Sequence, residues 1–293
     1  MLHKVGHGTT LTRKGIVMPE LPEVETVRQT LLKLVKGEVI SSIDVFWPKI
    51  IKKPDDVAIF KQLLAGQSIV NINRKGKFLI FELDHYSLVS HLRMEGKYGI
   101  YSSETEKDKH THVIFHFESG RSMHYHDVRK FGTMHLFKKG EAELTLPLMN
   151  VGPDPFESEY LFETIFPKIK KSTRAIKNIL LDQTIIAGLG NIYVDETLFR
   201  AKIHPLRTGT SITESEGQLI LKEAKDTLAE AVKQGGTTIR SYTNSLGEIG
   251  MFQQELFVYG QTGTPCKTCG SEIEKFKVSN RGTHICPSCQ LIS

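Results

Sequence analysis

Cys266-Lys267-Thr268-Cys269 and Cys286-Pro287-Ser288-Cys289 are two C-x2-C pairs sixteen residues apart, and they contain every cysteine of the 293-residue chain. A tight knuckle at each pair presents two thiolates, so two facing knuckles offer four to one tetrahedral zinc ion. Pro265, Gly270 and Pro287 suit the bends. A secreted disulfide scaffold would scatter its cysteines, and the chain shows no secretory apolar run at its start. Between the pairs, Lys267, Lys275, Lys277 and Arg281 outnumber Glu272 and Glu274, which makes the ribbon locally basic. The hairpin 276–285 is expected to place Asn280-Arg281-Gly282 at a tight turn, with the arginine reaching outward.

Upstream of the ribbon the pattern is helical over roughly 158–166, 172–182, 191–201 and 213–234. Before that, Val151-Gly152-Pro153-Asp154-Pro155 suits neither helix nor strand and reads as an interdomain linker. Residues 38–140 break into short alternating segments such as QSIVNI, KFLIFEL, THVIFHF and TMHLF, the mark of an antiparallel sandwich. A helix should open the folded part, because Val24, Val27, Leu31, Leu34 and Val35 keep helical spacing until Gly37. The expected fold is therefore α+β with two domains: an N-terminal helix with an antiparallel β-sandwich, then a helical domain carrying a zinc ribbon. The expected boundaries are an extension at 1–17, a β domain at 18–148, a linker at 149–157, a helical domain at 158–258 and the zinc finger at 259–293.

Thirty-eight Lys and Arg against 33 Asp and Glu give a net charge of +5, too mild over this length to name a partner. The ordinary apolar content excludes wholesale disorder, and no apolar run is long enough to span a bilayer. Position says more than the total. Lys168, Lys170, Lys171, Arg174 and Lys177 form an acid-free run, with smaller clusters at Arg74-Lys75-Lys77 and Arg129-Lys130, each able to neutralise phosphates. Ala187-Gly188-Leu189-Gly190-Asn191 reads as a glycine-hinged turn with an Asn cap, where free helix amides would bind a further phosphate. It is not a dinucleotide fingerprint, since Tyr193 replaces the third glycine. His110, His112, His116, His124 and His126 alternate along strands and are expected to be surface or sheet-packed residues rather than metal ligands.

Met18-Pro19-Glu20-Leu21-Pro22-Glu23-Val24-Glu25 carries the sharpest chemistry. A chain starting at Pro19 exposes a secondary amine with a pKa near 8, so a usable fraction is neutral at pH 7. Such an amine can attack a sugar C1′ and go on to an iminium, which acts as an electron sink. Glu20 beside it is placed for proton transfer.

With PELPEVE (19–25), RKGKFL (74–79), HLRMEG (91–96), DVRKFG (127–132), AGLGNIYVDE (187–196), QGGTT (234–238) and the Asn280-Arg281-Gly282 ribbon, the chain from Met18 onward resembles a bacterial formamidopyrimidine-DNA glycosylase. The resemblance implies a helix–two-turn–helix module, one structural zinc on Cys266, Cys269, Cys286 and Cys289, and excision of oxidised purines with β,δ-elimination in base-excision repair. Leu21 favours the purine-directed branch, because the pyrimidine-directed relatives carry Gly there. By position, Pro19 resembles the nucleophile, Glu20 the acid/base, Lys77 the lysine assisting β-elimination, and Arg281 the arginine that grips phosphates and aids δ-elimination. Asn191, His110, Arg129, Arg174 and Lys177 resemble DNA contacts, and Met94, Arg129 and Phe131 the trio that fills the duplex where a base has left. Glu95, Thr238, Arg240 and Tyr242 would line the lesion pocket, and Val128 stands where many members have Pro. The implied partner is double-stranded DNA bearing oxidised purines or abasic sites, met by a cytoplasmic, nucleoid-associated monomer with no membrane contact.

Residues 1–17 conflict with this chemistry, because Pro19 joined to Met18 is a tertiary amide without a nucleophilic lone pair. The expected start is Met18, with Arg13-Lys14-Gly15 readable as purine-rich codons of a ribosome-binding site. A removed presequence is the second reading, and a retained extension on a non-catalytic, zinc-dependent lesion-binding protein the third. Without Lys4, Arg13 and Lys14 the balance falls to 35 against 33, so local clusters, not net charge, carry the nucleic-acid expectation.

Overall fold

A computed structural model describes residues 19–102, 104–237 and 252–292. Val24, Val27, Leu31 and Val35 recur on one face and are buried along helix α1 (Leu21–Val35), as the spacing predicts. Then follow β1 (Ile40–Val45), β2 (Ile51–Lys53), helix α2 (Val57–Leu64), β3 (Ile69–Lys75), β4 (Phe78–Leu83), β5 (Tyr86–His91), β6 (Lys97–Ser102), β7 (Thr111–Phe117), β8 (Arg121–His126) and β9 (Thr133–Lys138). The strands form two sheets, ordered β1-β7-β8-β6 and β2-β9-β5-β4-β3, with α1 and the two inner faces enclosing one core. The sandwich departs from the expected antiparallel pattern at one edge, where β2 runs parallel to β9. Helix α2 and strand β2 lack a sequence signature because each is too short for its period to stand out, and β6 (KYGIYS) lacks one because Gly99 interrupts it and its burial does not alternate. Asp56 starts α2 by accepting from Ala58 N at 2.7 Å, and Phe60 and Leu64 bury its inner face.

Beyond residue 150, helices α3 (Phe162–Lys170), α4 (Ile176–Leu180), α5 (Asn191–Arg200) and α6 (Glu214–Lys233) build a second core. The expected helices at 191–201 and 213–234 match α5 and α6, whereas α3 and α4 begin about one turn later than expected. Thr213 closes the start of α6 with a capping box to Glu216. A two-stranded ribbon of β10 (Glu274–Val278) and β11 (Arg281–Ile285) follows.

Leu21 belongs to the second core although Val24 belongs to the first, so the opening turn of α1 already bridges the two halves. The stretch 151–155 is likewise no free linker. Asp154, almost wholly enclosed, accepts from Arg74 and from Gly76 N at 3.1 Å, and Arg74 also donates to Glu25 Oε2 at 2.9 Å. Arg74 therefore neutralises interior carboxylates and is not a phosphate-facing cation, which corrects the reading of the 74–77 cluster. Its partners lie 49 and 80 residues away, beyond what local charge patterning can reveal. Among the described residues, no helix is long and apolar enough to cross a membrane.

Candidate active site

Strand register gathers the N-terminal motifs at one end of the sandwich. Phe78 pairs with His91, and His91 with Thr133, which puts the β3–β4 turn carrying Lys77 beside the end of β5 and the start of β9. In the other sheet Lys97 pairs with His126, and His126 with Thr111, so the starts of β6 and β7 meet the end of β8. The two loops that cross between sheets, 92–96 and 127–132, therefore leave side by side. Met94 and Glu95 are half-buried on the first; Arg129 and Phe131 are exposed on the second. Both loops close on Tyr125, whose phenol fills the space a Cβ would need at Gly96 and at Gly132. His110 lies at the same end and accepts from Asp127 N through its carbonyl at 3.0 Å.

The 127–132 loop is held by a residue that sequence reasoning passed over. Asp127 is fully buried, and its carboxylate accepts from Arg129 N at 3.0 Å, Phe131 N at 2.9 Å and Gly132 N at 2.8 Å. An Asp two residues before the loop tip is the Asx-turn signal that could have found it. The Arg129 guanidinium stacks 4.8 Å from the Phe131 ring centroid, and Lys130 sits 4.2 Å over Trp47. Asp127→Ala leaves these donors without an acceptor and should cost about 3 kcal/mol of stability. Urea unfolding measures that loss, and duplex binding by the same variant should weaken because Arg129 and Phe131 are no longer pre-set.

Glu20 is the centre of the junction. Its carboxylate is buried at the N-terminus of α5, accepting from Ile192 N at 3.0 Å and Tyr193 N at 3.3 Å. This overturns the expectation that these amides await a phosphate: the anion they hold is the protein's own carboxylate. Gly190, not Asn191, is the N-cap, and a Cβ on Gly190 would overlap the Glu20 carboxylate. Asn191 is the first helical residue and donates through Nδ2 to Gly282 O at 2.9 Å. Burial raises the Glu20 pKa to about 7; Lys77 works against that rise, and Glu23 adds to it. Lys77 is itself buried, donates to Leu189 O at 2.9 Å, and has its pKa lowered by burial. It faces the interior junction, so it too leaves the surface-cation cluster.

Glu23 is a second buried carboxylate that the sequence did not single out. It accepts from Tyr193 Oη at 2.7 Å, Thr237 N at 2.9 Å, Thr237 Oγ1 at 2.9 Å and Glu20 N at 3.0 Å, tying α1, α5 and the segment that follows α6 together. Burial raises its pKa as well. Pro19, immediately before Glu20, is buried in the same junction. Thr238, Arg240 and Tyr242 lie outside the described residues.

Two cationic positions differ from expectation. Lys177 is completely enclosed, 2.6 Å from Asp195 Oδ1, so it is an internal ion pair and not an exposed phosphate contact. Arg281 is exposed but is the first residue of β11, paired with Val278; the tight turn is Ser279-Asn280. Arg174 is exposed and pairs with Asp182 at 3.0 Å. Among the histidines, His112, His124 and His126 pack against the sheet, with His124 facing Ser122 Oγ at 2.9 Å and His126 facing Thr111 Oγ1 at 3.0 Å.

The four Sγ atoms of Cys266, Cys269, Cys286 and Cys289 lie within 4.8 Å of one another. A tetrahedral zinc with bonds of about 2.3 Å needs edges of about 3.8 Å, so the donor set fits one structural ion with no open position. The ribbon is docked by buried groups: Glu196 accepts from the backbone N–H groups of Phe257, Val258 and Tyr259, and Gln290 bridges Cys286 N to Ile203 O.

Comparison with known proteins matches residues 18–134 to the formamidopyrimidine-DNA glycosylase N-terminal domain, 151–243 to the H2TH domain of the same enzymes, and 263–292 to the zinc finger found in FPG and IleRS. A formamidopyrimidine-DNA glycosylase of Bacillus licheniformis is 57% identical over 273 residues, covering 93% of this chain and 99% of that one. The Lactococcus lactis Fpg complexed with abasic-site DNA superposes with a TM-score of 0.87 at 43% identity, over 94% of this chain and 100% of the other. The same enzyme with Fapy-dG-containing DNA gives 0.86 at 42% identity, over 93% and 100%.

Proposed function

Because the chain belongs to the formamidopyrimidine-DNA glycosylase family, we infer that it is a DNA glycosylase of base-excision repair acting on oxidised purines in duplex DNA. The observation that carries the reading is the buried Glu20 carboxylate, poised near neutrality at the N-terminus of α5 and adjacent to Pro19. Pro19, as a free N-terminal amine, attacks C1′ of the damaged nucleoside and displaces the base. Glu20, in its protonated form, delivers a proton to the sugar ring oxygen as the ring opens to the iminium. Lys77, buried in the same junction with its pKa lowered by that burial, assists removal of the C2′ proton, so that the 3′ phosphate leaves by β-elimination. Arg281, exposed at the ribbon tip, holds the remaining phosphate for δ-elimination.

Met94, Arg129 and Phe131 occupy the place of the extruded base; Arg129 has donors for the orphaned partner, and the apolar pair props the unstacked step. Asn191, His110 and Arg174 contact the backbone. We assign Glu95, Thr238, Arg240 and Tyr242 to the lesion pocket, as the family resemblance implies. The zinc-bound thiolates hold the ribbon's shape and take no part in the chemistry. The working form starts at Pro19, ends its β domain near 148 and acts in the cytoplasm at the nucleoid.

The test is a duplex carrying 8-oxoguanine opposite cytosine. The expected products are free 8-oxoguanine and a one-nucleotide gap with phosphate on both ends. Tight lesion binding with no base release would leave the non-catalytic reading in its place.

A further inference from the structure

We infer that Asp195 is a positioning residue for Arg281: the buried Lys177–Asp195 pair, acting on the Gly282 carbonyl and on His284 N, fixes where the ribbon presents its arginine. Three contacts reach the strand that carries Arg281 from beneath. Lys177 Nζ, while paired with Asp195 Oδ1 at 2.6 Å, donates to Gly282 O at 3.0 Å. Asn191 Nδ2 donates to the same carbonyl at 2.9 Å. Asp195 Oδ2 accepts from His284 N at 2.9 Å. Asn178 Nδ2 adds a bond to Ser279 Oγ at 2.9 Å, at the turn just before Arg281. The hairpin is thus held at 279, 282 and 284, on both sides of residue 281, by donors and an acceptor from α4 and α5.

Stability alone does not call for this pair. Two enclosed charges forfeit their hydration, and an apolar pair of similar volume commonly folds as well or better. What an apolar pair cannot do is grip a backbone carbonyl from one side and an N–H from the other. Asp195 also neutralises a cation that lies close enough to Arg281 for the two positive charges to repel. With the pair in place, Arg281 is carried on a strand whose height and register over α5 are set.

This inference rests on the role assigned to Arg281 in δ-elimination, so the experiment measures both. The enzyme starting at Pro19 and its Arg281→Ala, Asp195→Asn and Lys177→Met/Asp195→Leu variants act on abasic-site DNA. Products of β-elimination alone are scored against β,δ-elimination, and borohydride capture at Pro19 is scored in parallel. The double variant removes both charges together, so no unpaired buried charge is left to unfold the protein. Circular dichroism and zinc content establish that each variant is folded.

The expected result is capture within about twofold of the parent, with δ-elimination slowed about tenfold in both Asp195 variants, the scale of an arginine misplaced by a fraction of an ångström. A folded, zinc-loaded Asp195 variant of either kind with the parent's product ratio overturns the positioning role. An unchanged ratio in Arg281→Ala overturns the assignment of Arg281, and the inference with it. A fall in capture equal to the fall in δ-elimination also overturns it, since that pattern marks general structural damage.

Discussion

A chain that starts at Pro19 is expected to be captured covalently by borohydride on DNA containing 8-oxoguanine or an abasic site. The same chain carrying Met18 is expected to give no adduct and background strand scission. The reason is electronic. A neutral secondary amine has a lone pair to donate to C1′, whereas in the Met18–Pro19 peptide bond that pair is delocalised into the carbonyl. Lys77, the buried amine of the junction, is engaged elsewhere: its Nζ donates to Leu189 O, and although burial lowers its pKa, the carboxylates of Glu20 and Glu23 oppose that shift. Intact-mass measurement of the protein from its native host completes the experiment, with the expected mass beginning at Pro19. Adduct formation by the Met18-bearing chain would move the nucleophile elsewhere.

Local features of the fold were legible, and long-range pairings were not. The zinc ribbon, α1, α5, α6 and seven strands announce themselves through spacing and period. By contrast, the gathering of Lys77, Met94, His110 and Arg129 at one end of the sandwich needs the register of β5 with β9 and of β6 with β8, strands that do not follow one another in the chain. Two of the loops involved cross between sheets, so no hairpin turn chemistry predicts their neighbours. The basic residues show the same limit. Five cations without an acid between 168 and 181 look like a solvated face, yet the carboxylate that takes Lys177 inward is Asp195, on another helix. The amides at the start of α5 were rightly read as an anion site, but their ligand lies 172 residues earlier, at Glu20. Glu23 and Asp127 went unnoticed because a first-turn glutamate and a loop aspartate are ordinary in sequence. Only burial makes them structural.

Glu20→Gln should lower base excision about a thousandfold, within the range that general acid–base groups supply, and it should change the pH profile in a way that mere damage would not. The reacting form needs Glu20 protonated and Pro19 neutral. The Glu20 pKa is about 7, so its protonated fraction declines as pH rises through that value. The amine, with a pKa near 8, gains its neutral form over the next unit. Excision by the parent enzyme should therefore peak at about pH 7.5, where roughly a quarter of each group is in the right state. In Glu20→Gln the alkaline decline disappears, and the residual rate climbs with the amine alone; a variant that kept the decline would show that another acid is titrating. Stability supplies a second arm. The folded protein holds the Glu20 proton up to about pH 7, whereas the unfolded chain releases it near 4.5. Between those values the folded state binds more protons, so stability falls as pH rises, and the penalty is complete above 7. Glutamine carries no such penalty. The variant should resist urea better than the parent at pH 8 and no better at pH 4, and an inactive but stabilised protein is the signature of a carboxylate kept for its chemistry at the expense of the fold.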